Sequence, residues 1–570
     1  MSRRRRDKRR GPKAGAPASV PAPPPTSAWA RHASLAAAAV AFVAYLPSIR
    51  GGFLYDDQAV VLDNRAIRDI GALGQVLRSD PSRPLLSLTW ALNYAASGLA
   101  PWSYHLVNVA IHAGNAALLA SLFAWMASRS GRARPGPAAL LGACLFAATP
   151  MAAETVAYVS SRSTALAALF MLASLRVAVG ALERFSVGRL SAALALFVLA
   201  AATKEDAAAL PLLLLLLDYF FVAGRRASEV WRRARVHAFF LLLPVLGLAA
   251  RRAATGSWLP PAALDRGRYL ATQVAAYPLY LLRAVVPVDP AFYRGHPAAP
   301  WPPDAATVLG WTFAVAVVAA AVAWRRRFPE WSFAAAWMAA CLLPSSSVVP
   351  LKEMVVDHRA YLGGAGVAFA LGLLLWRPGR GPVLAALVAL YAAGAVRYQR
   401  VLADPVRAWE DAVARAPGSS EAQGALGEAY AQRGDARAER AFRAATALDP
   451  GDGRSWTNLG AFYVERGRLK DAEEAMRRAS RAFPGDARIH DNLAMVLQAL
   501  GREDDAAREY EAAVASTPAL AQPRIRLAAI LARRGDRTRA RALLEEASRL
   551  EVDGEEADWI TSLQQQLGPP

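Results

Sequence analysis

Apolar runs of bilayer length recur through the first four hundred positions, and they narrow the folds open to this chain more than any other feature. A run of about 18–20 apolar residues satisfies its own backbone as a helix and so can sit in hydrocarbon without water. Such runs lie near 32–48, 104–127, 138–152, 163–182, 188–203, 206–223, 236–250, 306–324, 331–344, 360–376 and 382–397. The composition agrees: 55% of the 570 residues are hydrophobic, and the mean hydropathy is +0.20. The connecting stretches "SRSGRARPGP", "ERFSVGR", "GRRASEVWRRARVH", "WRRRFPEW" and "RPGRGP" are short, and four of the five are strongly basic. Basic loops stay on the cytoplasmic side. The same distribution accounts for the net charge of +20 without a nucleic acid partner, because the arginines cluster between the runs. The lipid bilayer is the expected surroundings, and Cys144 and Cys341, both inside apolar runs, read as small buried hydrophobes.

One further stretch, Tyr269 to Val288, carries Arg283 and two prolines. Counting it as a span would put "RRR" at 325–327 on the outside, so it reads as a re-entrant or interfacial helix. That leaves about 11 spans and sends the C-terminal region to the extracytoplasmic side. The N-terminal residues 1–31, basic and then Pro/Ala-rich, read as a disordered cytoplasmic tail. Residues 32–400 read as the transmembrane domain. The heavy use of Ala and Arg suggests a bacterial source, hence an inner (plasma) membrane.

The character changes after about residue 405. Pro417, Pro450, Pro484 and Pro518 are spaced 33, 34 and 34 apart, and Gly434, Gly467, Gly501 and Gly535 repeat that spacing. A helix–turn–helix period of about 34 residues with a Leu-Gly, a turn Gly and a closing Pro is the tetratricopeptide pattern. Gly427, Gly460 and Ala494 are the small residues that let paired helices approach. Residues 405–566 therefore read as about four repeats with a cap at either end, since a solenoid must shield its terminal faces. The expected fold is all-α: a polytopic helix bundle followed by an α-solenoid.

Ionisable residues collect at span ends on the outer side. "GGFLYDDQAVVLDN" brings Asp56, Asp57 and Asp63; His105, Asn108 and His112 share a helix face; "PMAAETVAYVSSRS" brings Glu154 and Arg162. "TKED" adds Lys204, Glu205 and Asp206, and "VVDHRAYL" adds Asp357, His358, Arg359 and Tyr361. Charges at membrane depth are costly unless paired or facing water, so their convergence on one face points to a site. Lysines and arginines near span ends can also simply snorkel.

In this order, "FLYDDQAVVLDN", "RPLLSLTWALNY…SYHLVNVAIHA", "ETVAYVSSRSTALAALF", "TKED" and "VDHRAYLGG" resemble the transmembrane and tetratricopeptide-repeat O-mannosyltransferases and their bacterial relatives, within the GT-C class. The resemblance covers roughly residues 35–565. It implies transfer of a sugar, mannose in that family, from a polyprenyl-phosphate carrier to an acceptor on the extracytoplasmic face. The family commonly has Glu-Arg or Glu-His-Arg where this chain has Asp357-His358-Arg359.

The chemistry suits the residues. A carboxylate can take the proton of an acceptor hydroxyl as it attacks the anomeric carbon, and Asp56 or Asp57 is the candidate base. A fixed cation stabilises the leaving phosphate, and Arg162, Lys204, His358 and Arg359 are the candidates. His105, Asn108, Glu154, Glu205, Asp357 and Tyr361 are candidates to line the site. Two adjacent aspartates do not by themselves call for a divalent ion, and no metal or other cofactor is expected. Asn458 and Asn492, at matching places in successive repeats, are candidates to bond the backbone of a polypeptide acceptor. The competing reading is a non-catalytic membrane scaffold that displays the repeats.

Overall fold

The computed structural model describes residues 28–130, 135–260, 264–287, 289–347, 349–351, 353–550, 552 and 554–568. The N-terminal tail expected over 1–31 lies almost wholly outside them. Every regular element among the described residues is helical.

Each of the eleven apolar runs forms helix, but their lengths differ. Among the described residues, six helices are long and apolar enough to cross a bilayer: Trp29–Arg50, Pro101–Ala127, Val159–Glu183, Ala234–Thr255, Ala305–Ala323 and Gly381–Leu402. Pro135–Ala148 and Pro150–Ala157 make a seventh if the pair, bent by 46°, is counted together. Val187–Ala201, Leu210–Leu217, Pro329–Leu342 and Gly363–Leu375 are apolar but only 15, 8, 14 and 13 residues long. At about 1.5 Å per residue the shortest of these cannot span about 30 Å of hydrocarbon alone. A count of about eleven full spans is thus not met on length. Residues 269–285 of that stretch lie in one continuous helix, Arg266–Val285, with Pro278 inside it, so no re-entrant turn breaks them.

Small residues set a close helix crossing in the bundle. A Cβ on Gly372 would lie 2.6 Å from the backbone nitrogen of Gly142, and one on Gly142 would lie 2.8 Å from the carbonyl oxygen of Ala368. Helices Pro135–Ala148 and Gly363–Leu375 therefore touch backbone to backbone, the packing that small residues permit between membrane helices. The same helix buries Gly366 against the Trp337 ring. By contrast, Ala234–Thr255 and Ala305–Ala323 leave most of their apolar surface uncovered.

The C-terminal region is four antiparallel helix pairs: Ser420–Gln432 with Arg437–Leu448, Gly453–Glu465 with Leu469–Ala482, Ala487–Ala499 with Glu503–Ser516, and Gln522–Arg533 with Arg537–Ser548. Pro405–Arg415 precedes them and Gly554–Leu567 follows. Ser419, Asp452 and Asp486 cap the first helices of three pairs through their side-chain oxygens. Gly434, Gly467, Gly501 and Gly535 turn each pair with φ between 68° and 83°, which only glycine adopts cheaply. A Cβ on Gly427 would meet the Phe442 ring at 2.6 Å, and one on Gly460 would meet Met476 at 2.8 Å.

Helix Gly381–Leu402 runs almost directly into Pro405–Arg415, and the capping helix lies on the polar loops of the bundle. Gly52 donates its N–H to Ala403 O at 3.4 Å, and the Tyr55 ring meets the Trp409 ring edge-on at 5.1 Å. The repeats therefore emerge on the same side as the Asp56–Asp57 loop.

Candidate active site

The short segment 150–161 organises the site, because it binds both polar loops. At its end, Ser160 donates its N–H to Asp57 Oδ1 at 2.7 Å and its hydroxyl to the same oxygen. Leu54 N–H donates to Asp57 Oδ2 at 2.9 Å. Asp57 is fully buried, and burial pushes its carboxyl up to about 7 against the lowering effect of those donors. Asp56, next to it, is exposed. Its N–H donates to the Tyr158 hydroxyl oxygen at 3.0 Å, which fixes where its side chain starts. The two adjacent aspartates thus differ: Asp57 ties the loop down, and Asp56 presents a carboxylate to solvent.

Near its start, segment 150–161 holds the second cluster. Glu154 accepts from the His358 N–H at 3.1 Å and lies 2.6 Å from His358 Nδ1. Burial, then the charges of Lys204 and Arg359, lower the His358 imidazole to about 3, so the ring is neutral near neutral pH. This hydrogen bond at Nδ1 fixes the orientation of the ring, with Nε2 on its far side. His358 therefore brings no positive charge to a phosphate; its neutral ring instead offers Nε2 for a hydrogen bond. Lys204 stands 2.7 Å from Thr164 Oγ1 and 3.3 Å from Asp206 Oδ2.

The other cations proposed from sequence are largely spent inside the protein. Arg162 is wholly buried, donating to Asn108 Oδ1 at 2.7 Å, Asn93 Oδ1 at 2.7 Å and Tyr104 O at 2.9 Å. It welds three helices together, and nothing of its guanidinium reaches solvent. Arg359 donates to Glu353 O at 2.6 Å, Met354 O at 3.0 Å and Tyr269 Oη at 3.2 Å, with its buried Nε left without a partner.

The candidate lining residues also divide. Asp357 is buried and joins Arg283 at 3.3 Å, Arg294 at 3.0 Å and the Ala291 N–H at 3.0 Å, so it anchors the loop before residue 300. His105 bonds Gly52 O at 3.2 Å and Asn108 reaches the carbonyls of Val156 and Tyr158. Both brace the loops from below. Tyr361 lies deeper, against His112 Nδ1 at 2.7 Å and Asn115 Nδ2 at 3.0 Å. Glu205 stands apart, paired with Arg83 at 3.0 Å.

Tyr158, Ser160, Tyr55, Phe292 and Glu421 complete the arrangement and were not singled out from sequence. The Phe292 ring lies 5.3 Å from that of Tyr158 and 6.4 Å from that of Tyr55. Tyr158 and Ser160 stand inside a quoted motif, so their polarity next to Glu154 was a usable signal. Glu421 had none, since it meets Tyr55 across 366 positions.

In the repeats, the concave face forms a groove of about 890 Å³ lined by Asn458, Asn492, Glu428, Arg454 and Tyr55. Asn492 faces it, while the Asn458 amide is bonded to Glu428.

Comparison with known proteins gives the context. The family of tetratricopeptide repeats matches residues 436–496. The chain is 31% identical over 225 residues to the protein O-mannosyl-transferase Tmtc1 of Drosophila melanogaster, covering 36% of this chain and 25% of that one. It is 34% identical over 167 residues to the human protein O-mannosyl-transferase TMTC4, covering 26% of this chain and 22% of that one. The chain thus spans about a quarter of the length of the curated relatives it matches. Among solved structures, that of MamA is 19% identical with a TM-score of 0.24, covering 28% of this chain and 90% of that one. The chain is accordingly a homologue of the protein O-mannosyl-transferases over part of its length, and it carries tetratricopeptide repeats.

Proposed function

We propose that the protein is a membrane glycosyltransferase that moves a sugar, mannose by analogy with the named relatives, from a polyprenyl-phosphate carrier to a hydroxyl of a protein acceptor. The observation that carries this reading is the single segment 150–161 holding an exposed carboxylate, Asp56, and a neutral carboxylate-bound imidazole, His358, on one side of the bundle. Asp56 takes the proton of the acceptor hydroxyl as its oxygen bonds to the anomeric carbon. The bond from that carbon to the carrier's phosphate oxygen breaks, and its electron pair leaves on the phosphate. Lys204 supplies the positive charge that stabilises the negative charge growing on the leaving phosphate. His358 Nε2 hydrogen-bonds a sugar or acceptor hydroxyl and sets its direction. Asp57 does not react; both its oxygens are occupied.

The division into a membrane domain over 32–400 and a repeat domain over 405–566 belongs to the same reading. The site and the repeats face the extracytoplasmic side of a bacterial inner membrane. The basic loops support that orientation, and the contact of Trp409 with Tyr55 supports a common side for both. The repeat groove then holds the polypeptide acceptor, with Asn492 along its wall. Incorporation of labelled sugar from a polyprenyl-phosphate donor into protein, in proteoliposomes, tests the reading. Asp56→Asn should abolish it, and full activity in that variant would remove the loop from the mechanism.

A further inference from the structure

We propose that the start of the repeat region is part of the scaffold of the reaction centre: Glu421, Trp409 and Arg415 hold the two membrane-domain loops in shape, beyond any role in binding the acceptor. The inference rests on the assignment of Asp56 as the base. Only three non-glycine residues among those described have positive φ: Tyr55 at 45°, Arg225 at 64° and Asp289 at 58°. A left-handed backbone is unfavourable for a residue with a side chain, and more so for a bulky one, so it persists only where surroundings enforce it. Two of the three, Tyr55 and Asp289, are held by the repeat region.

Tyr55 immediately precedes Asp56. Its hydroxyl donates to Glu421 Oε1 at 2.7 Å, and its ring packs edge-on against Trp409 at 5.1 Å. Glu421 also accepts from the Tyr293 hydroxyl at 3.2 Å, which in turn is 2.9 Å from Ser419 Oγ. Asp289 pairs with Arg415. Its carbonyl accepts from Arg294 at 2.7 Å, and Arg294 reaches Asp357, the residue before His358. Gly295 lies so close to Ala416 that a Cβ there would have no room. The repeat region thus grips the first loop at the residue before Asp56, and it reaches His358 through Asp289, Arg294 and Asp357. A carboxylate shifted by about 1 Å can cost about a hundredfold in rate, so this grip acts on turnover.

Glu421 and Tyr55 are therefore positioning residues, and the split between kcat and KM identifies them. The full-length protein in proteoliposomes is assayed at saturating donor and varied acceptor, with Tyr55→Phe, Glu421→Ala and Glu421→Gln. Tyr55→Phe and Glu421→Ala should each lower kcat by about tenfold or more, with acceptor KM changed by less than about twofold. Glu421→Gln keeps an oxygen for the Tyr55 hydroxyl and should restore most of the loss. Arg533→Ala, far along the array, should leave kcat unchanged. An unchanged kcat with a raised acceptor KM in both Tyr55→Phe and Glu421→Ala would overturn the proposal, because the repeats would then only bind acceptor. If Glu421→Ala does not fold, Tyr55→Phe, which deletes one hydroxyl, decides alone. Full activity in Asp56→Asn would instead sink the base assignment, whatever Glu421 does.

Discussion

Asp57 offers a test that needs no substrate. Its carboxyl titrates near 3.8 in the unfolded chain and at about 7 in the fold, chiefly because it is buried. Below the lower value both states hold the proton. Between the two values the folded protein keeps a proton that the unfolded chain has released, so stability falls as pH rises and levels off above the upper one. Every pH unit that separates the two midpoints is worth about 1.4 kcal/mol, so the whole fall is about 4 kcal/mol. Asp57→Asn cannot titrate and should lack this fall. Its amide oxygen can still accept from Ser160, but its NH2 then faces the Leu54 N–H, a pH-independent cost of about 1–3 kcal/mol. The variant should therefore be the less stable protein near pH 4 and approach or overtake the wild type near pH 8. Unfolding midpoints in detergent across that range, for both proteins, measure the difference directly. Parallel curves would refute the argument, since they would mean that Asp57 is ionised at the same pH in both states.

The other predictions concern chemistry, packing and topology. Glu154→Gln should lower kcat by about ten- to a hundredfold, because the imidazole loses the carboxyl group that holds its Nδ1; His358→Gln should lose as much, and the double variant little more. Gly372→Ala should cost about 1–3 kcal/mol by forcing apart two helices in backbone contact, read as a lower melting temperature in detergent; an unchanged value would mean that the two helices have room to spare at their crossing. Reporters placed after Gln399 and within 224–233 should lie on opposite sides of the membrane, and accessibility labelling of cysteines at those sites checks it.

The sequence made the repeats fully legible, because each turn glycine and each small residue is dictated by local geometry and recurs at a fixed period. The apolar runs were equally visible as helices, but their number as spans was not. Length alone separates Pro101–Ala127 from Leu210–Leu217, whose neighbouring residues turn out as short 3-10 and π turns instead of continuing the helix. The polar residues were found and their partners were not. Arg162 and Lys204 look alike in a hydropathy profile, yet one is enclosed by Asn93, Asn108 and Tyr104 and the other stands among Thr164 and Asp206. Adjacent aspartates offer no local difference at all. Only the fold decides that Asp57 turns inward to Ser160 while Asp56 turns out.

A solenoid communicates only between neighbours, and here just one end of it is clamped to the bundle. Substitutions in Gln522–Arg533 or Arg537–Ser548 must act through the three preceding helix pairs before they reach Tyr55. Mutational tolerance should therefore rise steadily along the array with distance from Trp409. Evolution could lengthen or shorten the far end without retuning the chemistry. Selection would then see two regimes within one continuous stack: a conserved root and a freely varying tip.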